Sequence, residues 1–186
     1  VIYTNKNDSF EWSVLYTNNE KKLYKALLHD SDNGIAESLL LMISNRLSGG
    51  FSTEKAIEIL KNKWVDIFSD ELIWYDGSGI SRYNMFTPRT IIQVLKLIRK
   101  EIKWPKIQQL FPKSGQSGTL LGYPNLKNIY AKTGTLRNNH NLSGFFKTSK
   151  GEVLTFSVMV NHFNSSTNEI RNGITEIIKK IKKKLD

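Results

Sequence analysis

Two short polar clusters carry the residue types that acyl-transfer chemistry needs. Ser31-Asp32-Asn33 forms the first, and Lys132-Thr133-Gly134-Thr135 follows about 100 residues later. A serine hydroxyl can pass a proton to a leaving amine, and an asparagine amide can both donate to and accept from a peptide. A lysine ammonium beside a threonine hydroxyl can hold a carboxylate and keep a neighbouring base deprotonated. The clusters predict a site for a peptide-like substrate, with Ser31, Asn33 and Lys132 as its catalytic residues and Asp32 as a support for the loop.

The second cluster closes an apolar, strand-like run at 129–131. At a strand edge, Lys132 and Thr133 can project toward a ligand, while Gly134 leaves room for the ligand backbone to lie alongside. The backbone N–H of Thr135 can face a developing oxyanion. We therefore assign Thr133, Gly134 and Thr135 to substrate binding. Each cluster alone is also typical of a turn or a helix cap, so the prediction depends on their pairing.

In known enzymes that combine a Ser-Asp-Asn and a Lys-Thr-Gly cluster, the nucleophile is a serine placed three residues before a lysine. Ser52-Thr53-Glu54-Lys55 is the one stretch with this spacing, and it follows the first cluster instead of preceding it. Its position at the start of an apolar-periodic segment favours Ser52 as a helix N-cap. The sequence therefore predicts that this chain lacks the nucleophile and is inactive alone.

The apolar periodicity predicts the elements that must position these residues. The triplet falls between two helices, and Pro88 suits the first turn of a later helix. A Ser-Lys-Gly turn at 149–151 joins two strands as an antiparallel hairpin. The expected helices are at 20–29, 35–47, 53–68, 89–103 and 167–185. The expected strands are at 10–16, 142–147 and 153–160, with one more that ends at the second cluster.

Composition narrows the class of protein. The chain has 186 residues, is 39% hydrophobic and lacks cysteine, which predicts one folded unit without disulfides or thiolate metal sites. His29, His140 and His162 are scattered without metal-ligand spacing, and His29 is expected to be a solvated residue at a helix end. The net charge of +10 favours anionic partners, but no motif indicates nucleic acid. The lysine-rich end is interpreted as the solvated face of a packed helix, with contact to a polyanion or a membrane surface as the alternative.

The clusters, in this order, together with Asp76-Gly77-Ser78-Gly79-Ile80-Ser81-Arg82, resemble the D-alanyl-D-alanine carboxypeptidase/endopeptidase family. These are the class C low-molecular-mass penicillin-binding proteins, peptidase family S13. The stretch 29–37 and the Asp76 loop are the most specific parts of a resemblance that covers nearly the whole chain. It implies the α/β penicillin-binding protein/β-lactamase-like transpeptidase fold, an antiparallel sheet flanked by helices beside a helical region, in incomplete form. Residues 1–186 would be the C-terminal part of a penicillin-recognising D,D-peptidase domain.

The resemblance also implies an activity. The parent protein would be a serine-type D-Ala-D-Ala carboxypeptidase of the periplasm or cell envelope, cleaving D-Ala-D-Ala or cross-link peptide bonds of peptidoglycan through an acyl-enzyme. Its partners would be peptidoglycan stem peptides, β-lactam antibiotics and the missing N-terminal portion of the same protein, without metal or organic cofactor. Arg82 would receive the free carboxylate of a diaminopimelate side chain, or it could simply brace its loop.

Two other interpretations stay open. A serine β-lactamase shares both clusters but also needs a carboxylate that activates the deacylating water, and the Asp76 loop argues against it. A non-catalytic module could retain the groove for peptidoglycan stems, or the chain could be a basic scaffold at the envelope surface.

Overall fold

A computed structural model describes residues 20–185 of the chain. The strand predicted at 10–16 lies outside the described residues. The elements, in chain order, are α1 (Glu20–Lys25), which continues as a π-helical turn (Ala26–Asp30), α2 (Asn33–Ser48), α3 (Thr53–Lys63), α4 (Pro88–Glu101), α5 (Trp104–Leu110), a 3₁₀ turn (Gly118–Leu120), β1 (Ile129–Leu136), β2 (Asn139–Lys147), β3 (Val153–Asn161) and α6 (Thr167–Leu185).

The sheet has the strand order β1-β2-β3, and both pairings are antiparallel. In this register Lys132 lies opposite Ser143, and Thr135 lies opposite His140. Since side chains alternate across a strand, Lys132 and Gly134 face one side of the sheet while Thr133 and Thr135 face the other. The second cluster therefore presents its polar groups on both faces of β1.

Each face of the sheet packs on its own apolar core. One core joins β1 and β2 to α6 through Ile129, Leu142, Ile174 and Ile178. The other joins Tyr130 and Phe145 to α4 and α5 through Leu95, Ile107 and Leu110. This sandwiching of a sheet between helices confirms the predicted α/β class and holds β1 rigidly from both sides.

The helical region is built from α2 and α3. These helices pack through Leu40, Ala56, Ile57 and Leu60. Asp32 caps α2 by accepting from the Ile35 N–H at 2.9 Å, which is the helix-cap role that its residue type also allows.

Several helix boundaries differ from the predicted ones. The third helix stops at Lys63 instead of 68, because Trp64 closes it and packs edge-on against Phe68 in the turn that follows. The helix predicted to reach 103 stops at Glu101, and the short helix α5, with Pro105 in its first turn, was not predicted. The final helix has its predicted bounds, and Pro88 starts α4 as expected. Among the described residues, no helix is long and apolar enough to cross a bilayer.

Candidate active site

Ser31 lies in an unusual turn between two helices. The π-helical turn Ala26–Asp30 ends at Ser31, whose backbone is left-handed with φ +57. Serine rarely adopts this conformation, and single π-helical turns are frequent at functional sites. The turn leaves the Ser31 side chain half-buried between α1 and α2.

The backbone of the 3₁₀ turn packs closely against the π-helical turn that ends at Ser31. Gly118, with φ +54, opens the 3₁₀ turn and packs directly against His29. A Cβ at Gly118 would lie 2.6 Å from the His29 carbonyl oxygen, so only glycine fits there. His29 itself is buried, which corrects the expectation that it is solvated.

The Lys132 ammonium meets the Ser31 hydroxyl. Lys132 Nζ donates to Ser31 Oγ at 2.7 Å and to the Thr133 carbonyl at 2.6 Å. Burial lowers the pKa of Lys132 from its ordinary value, because the charged form loses hydration. In the part of the chain that the structure describes, these two contacts use two of the three ammonium hydrogens and leave the third for a ligand.

Asn33 connects the Ser31 turn to the Asp76 loop. In the amide orientation that satisfies its surroundings, Asn33 Nδ2 donates to the Ser78 carbonyl at 3.0 Å and to the Ser31 carbonyl at 3.2 Å. The structure therefore brings Ser31, Asn33 and Lys132 together, as the sequence predicts. It also places the Asp76 loop directly beside them.

The Asp76 carboxylate organises its own loop. Its oxygens accept from the Gly79 and Ser81 N–H groups, both at 2.9 Å, and from the side chains of Ser78 and Asn84. Burial raises the pKa of Asp76, but the hydrogen bonds from Asn84, Ser81, Ser78 and Gly79 outweigh it and hold the pKa below its ordinary value. The loop is thus fixed around an ionised carboxylate.

Glu37 fastens this loop to α2. Its Oε2 accepts from the Gly77 N–H at 2.7 Å and the Ser78 N–H at 2.9 Å, and its Oε1 accepts from the Thr53 hydroxyl. Sequence reasoning missed Glu37. Glu37 lies one helical turn after Asn33. The sequence could identify it as the acceptor for the loop N–H groups only if the position of the glycine-rich loop were already known.

Among residues 20–185, the edge of β1 that faces away from β2 is bridged at Tyr130 by Lys113 and has no strand partner beyond Ala131. The Ala131 N–H donates to Pro112 and the Ile129 carbonyl accepts from Ser114, so the odd-numbered residues of β1 direct their backbone groups away from β2. By this alternation the Thr135 N–H and the Thr133 carbonyl also face this edge. The Thr133 carbonyl is the one that binds Lys132. This edge can therefore take an extended peptide as an added strand.

Three predicted residues lie outside the Ser31 cluster. Arg82 is exposed and makes no hydrogen bond or ion pair to the other predicted site residues within 20–185. The Thr135 hydroxyl bonds His140 Nδ1 at 2.7 Å on the α6 side of the sheet. Ser52 Oγ accepts from the Lys55 N–H at 3.1 Å and caps α3, as predicted, while the Lys55 ammonium pairs with Glu58. The lysine of this motif therefore binds Glu58 and not Ser52.

The described part of the chain holds no cluster of three or more metal-ligating side chains. The arrangement offers a hydroxyl hydrogen-bonded to a desolvated ammonium, an asparagine amide, and a strand edge that has no partner strand beyond Ala131 among residues 20–185. These are the parts of an acyl-transfer site for peptides.

Comparison with known proteins decides the family. The sequence profile of the D-Ala-D-Ala carboxypeptidase 3 (S13) family matches residues 17–181. The chain belongs to this S13 family. It is 32% identical over 154 residues to the D-alanyl-D-alanine carboxypeptidase DacB of Haemophilus influenzae, covering 77% of this chain and 32% of that protein. It is 28% identical to the carboxypeptidase DacB of Mycolicibacterium smegmatis, covering 74% of this chain and 33% of that protein. The chain thus spans about a third of the length of these curated relatives.

Solved structures support the same fold. Penicillin binding protein 4 (dacB) of Haemophilus influenzae superposes with a TM-score of 0.74 at 27% identity, covering 87% of this chain and 39% of that one. The same protein complexed with a β-lactam gives a TM-score of 0.72 at 29% identity, over 86% of this chain and 41% of that one. A TLA-1 β-lactamase shares the fold alone, at 19% identity and a TM-score of 0.63 over 89% of this chain and 63% of that one. The S13 chain therefore has the predicted penicillin-binding protein/β-lactamase-like fold.

Proposed function

We propose that residues 1–186 form the C-terminal part of a serine-type D,D-carboxypeptidase/endopeptidase domain that cleaves D-Ala-D-Ala or cross-link peptide bonds of peptidoglycan. The observation that carries the proposal is the 2.7 Å hydrogen bond from Lys132 Nζ to Ser31 Oγ. It joins the two predicted clusters at one point beside the open edge of β1. Membership of the S13 family agrees with this reaction.

Ser31 is proposed to deliver the proton that the leaving amine needs. Because Ser31 Oγ accepts from Lys132, its own hydrogen is free to be donated. When the acyl-enzyme forms, a bond from the nucleophile oxygen to the carbonyl carbon replaces the peptide C–N bond. The leaving amine nitrogen takes the Ser31 hydrogen, Ser31 takes a hydrogen from the Lys132 ammonium, and the hydrogen that the nucleophile gives up returns Lys132 to its ammonium form. The lowered pKa of Lys132 eases this transfer, since a desolvated ammonium gives up its proton more readily.

The substrate is proposed to lie along the edge of β1. Its scissile carbonyl oxygen would accept from the Thr135 N–H, while Thr133 and Gly134 bind the chain beyond it. Asn33 is proposed to bind a substrate carbonyl by exchanging one of its two Nδ2 hydrogen bonds, now donated to the Ser31 and Ser78 carbonyls, for one to the substrate. Arg82 is proposed to bind a second carboxylate on a diaminopimelate side chain, at the exposed end of the Asp76 loop.

The nucleophile is proposed to come from a segment outside residues 1–186, so that the chain alone is inactive. Within residues 20–185, an apolar groove of about 740 Å³ supports this arrangement, and it is lined by side chains that include Leu27, Leu28, Trp64, Phe68, Trp74 and Ile91. Leu27 and Leu28 belong to the π-helical turn that presents Ser31. An apolar helix seated in the groove would therefore carry a nucleophile to the side of Ser31.

The β-lactamase alternative needs a free carboxylate near the acyl group. Three carboxylates beside Asn33 are engaged by backbone N–H groups: Glu37 and Asp76 accept from those of the Asp76 loop, and Asp32 accepts from that of Ile35. Their engagement favours the peptidase. We further propose peptidoglycan stem peptides and β-lactams as ligands and the periplasm or cell envelope as the location.

The test uses the longer polypeptide that contains this chain and measures D-alanine released from a stem pentapeptide. We expect Ser31→Ala to lower kcat by at least about 100-fold, the scale of general acid–base catalysis. Ser48→Ala is the matched control, since Ser48 Oγ donates to Ser44 at the far end of α2. Equal activity of Ser31→Ala and wild type would contradict the proposal.

A further inference from the structure

A chain of three polar side chains runs from the site into the sheet. Thr135 Oγ1 lies 2.7 Å from His140 Nδ1, and His140 Nε2 lies 2.6 Å from the Tyr123 hydroxyl. His140 is completely buried and Tyr123 is 4% exposed, whereas Thr135 is exposed next to Lys132-Thr133-Gly134. These hydrogen bonds therefore link the buried Tyr123 phenol to the Thr135 hydroxyl at the edge of β1.

The fold holds these three groups tightly. Thr135 and His140 are register partners on β1 and β2. Tyr123 precedes β1, and its ring stacks on the imidazole at 6.1 Å between centroids. The Arg171 guanidinium of α6 lies 5.7 Å above the Tyr123 ring. None of these residues except Thr135 has a part in the proposed reaction.

Burial and charge fix the protonation of the two inner groups. Burial, and then the Arg171 charge, lower the pKa of His140, so the imidazole is neutral at neutral pH. Burial raises the pKa of Tyr123 to about 12 against the opposing effect of Arg171, so the phenol keeps its proton. A neutral imidazole has one N–H donor and one acceptor nitrogen.

Only one direction of hydrogen bonding satisfies the phenol within the described residues. If the Tyr123 hydroxyl donates to Nε2, then Nδ1 carries the imidazole proton and donates to Thr135 Oγ1. In the reverse direction the Tyr123 hydrogen would need a second acceptor, and His140 is its one hydrogen-bond partner in the part of the chain that the structure describes. A buried hydroxyl hydrogen without an acceptor is costly, so the first direction is favoured.

We infer that Tyr123 and His140 are positioning residues that make the Thr135 hydroxyl a hydrogen-bond donor toward the terminal carboxylate of the substrate. With its oxygen already occupied by Nδ1–H, Thr135 directs its own hydrogen outward. A carboxylate can only accept, so it binds this hydroxyl in the donating state and not in the accepting one. The inference rests on the proposed peptidase function for its ligand, but not for the direction of the hydrogen bonds.

The direction can be measured directly on the chain itself. In a ¹⁵N-labelled sample, long-range proton–nitrogen correlation spectra show which imidazole nitrogen carries the hydrogen. The His140 signals are identified by their loss in His140→Asn. We expect a protonated Nδ1 and an unprotonated Nε2 near pH 7. A protonated Nε2, whether in the other tautomer or in an imidazolium, would overturn the inference.

The effect on the ligand is tested in the longer polypeptide with a penicillin and its methyl ester, which differ at the carboxylate. We expect Thr135→Val to lower the ratio of the second-order acylation rates for acid and ester by about 10-fold or more, with Thr135→Ser restoring the preference. Tyr123→Phe is expected to lower the acid-over-ester preference by about threefold to 10-fold, because His140 is then free to accept from Thr135. Tyr130→Phe is the matched control, since its buried hydroxyl bonds Gln108 instead.

The outcomes separate the two proposals. Equal slowing of acid and ester by Tyr123→Phe, or no change in either, would show that Tyr123 does not act through Thr135. If wild type is not acylated at all, the proposed function fails and the carboxylate role of Thr135 fails with it, while the spectrum still decides the direction of the buried hydrogen bonds.

Discussion

Lys132 Nζ donates a hydrogen bond of 2.7 Å to Ser31 Oγ across a sequence separation of 101 residues. The contact joins the edge strand of the sheet to a left-handed turn between two helices. It buries the lysine enough to lower its pKa, and it leaves the serine hydrogen free. The two halves of the predicted site are therefore one hydrogen-bonded unit.

Glu37 should matter for stability although it lies outside the reacting groups. Glu37→Ala removes the acceptor for the Gly77 and Ser78 N–H groups and for the Thr53 hydroxyl. We expect a loss of about 2 kcal/mol in the free energy of unfolding, measured by urea denaturation. Glu58→Ala, which removes an exposed ion pair with Lys55, should change it by less than about 0.5 kcal/mol. Equal effects of the two variants would show that Glu37 does not hold the loop.

The Asp76 loop should weaken in acid. Its folded-state pKa lies below the unfolded one, so Asp76 contributes stability above the unfolded pKa, about 3.9, and loses it as the pH falls through the folded pKa. Asp76→Asn should therefore be less stable than wild type at pH 7, and the difference should shrink as the pH falls below about 4. Urea denaturation at several pH values measures this, with the exposed Asp66→Asn as control. A difference that stays constant with pH would mean that the ionised form of Asp76 does not matter.

The glycine beneath the Ser31 turn should not tolerate a side chain. Gly118→Ala places a methyl group 2.6 Å from the His29 carbonyl oxygen at a left-handed φ. We expect a loss of at least about 1 kcal/mol in thermal or urea unfolding. Gly173→Ala is the matched control, because that glycine lies inside α6 with open space around it. Gly173→Ala should raise the free energy of unfolding by about 0.5–1 kcal/mol. A neutral Gly118→Ala would contradict the close packing under Ser31.

Local signals made much of the fold predictable. Proline at the start of α4 and Ser52 before α3 each act within one turn of chain, and both occupy the predicted positions. The bounds of α6 follow from a long amphipathic pattern. The S13 resemblance, and with it the fold, followed from the two clusters and the Asp76 loop.

The features that the sequence did not predict, the left-handed Ser31 turn and the His140–Tyr123 hydrogen bond, depend on contacts between distant segments. The left-handed Ser31 forms where Gly118 reaches His29, and neither residue signals the other. His140 was treated as one of three scattered histidines. Its alternation with Leu142 on β2 places it on the buried face, but its bond to Tyr123 depends on how the loop before β1 folds back.

Covalent labelling by a fluorescent penicillin tests the central claim, that residues 1–186 carry the Ser31–Lys132 half of the site while the nucleophile comes from another segment. We expect the label on the longer polypeptide and none on the isolated chain, whose integrity is checked by circular dichroism. Labelling of the isolated chain, or no labelling of the longer polypeptide, would contradict the account.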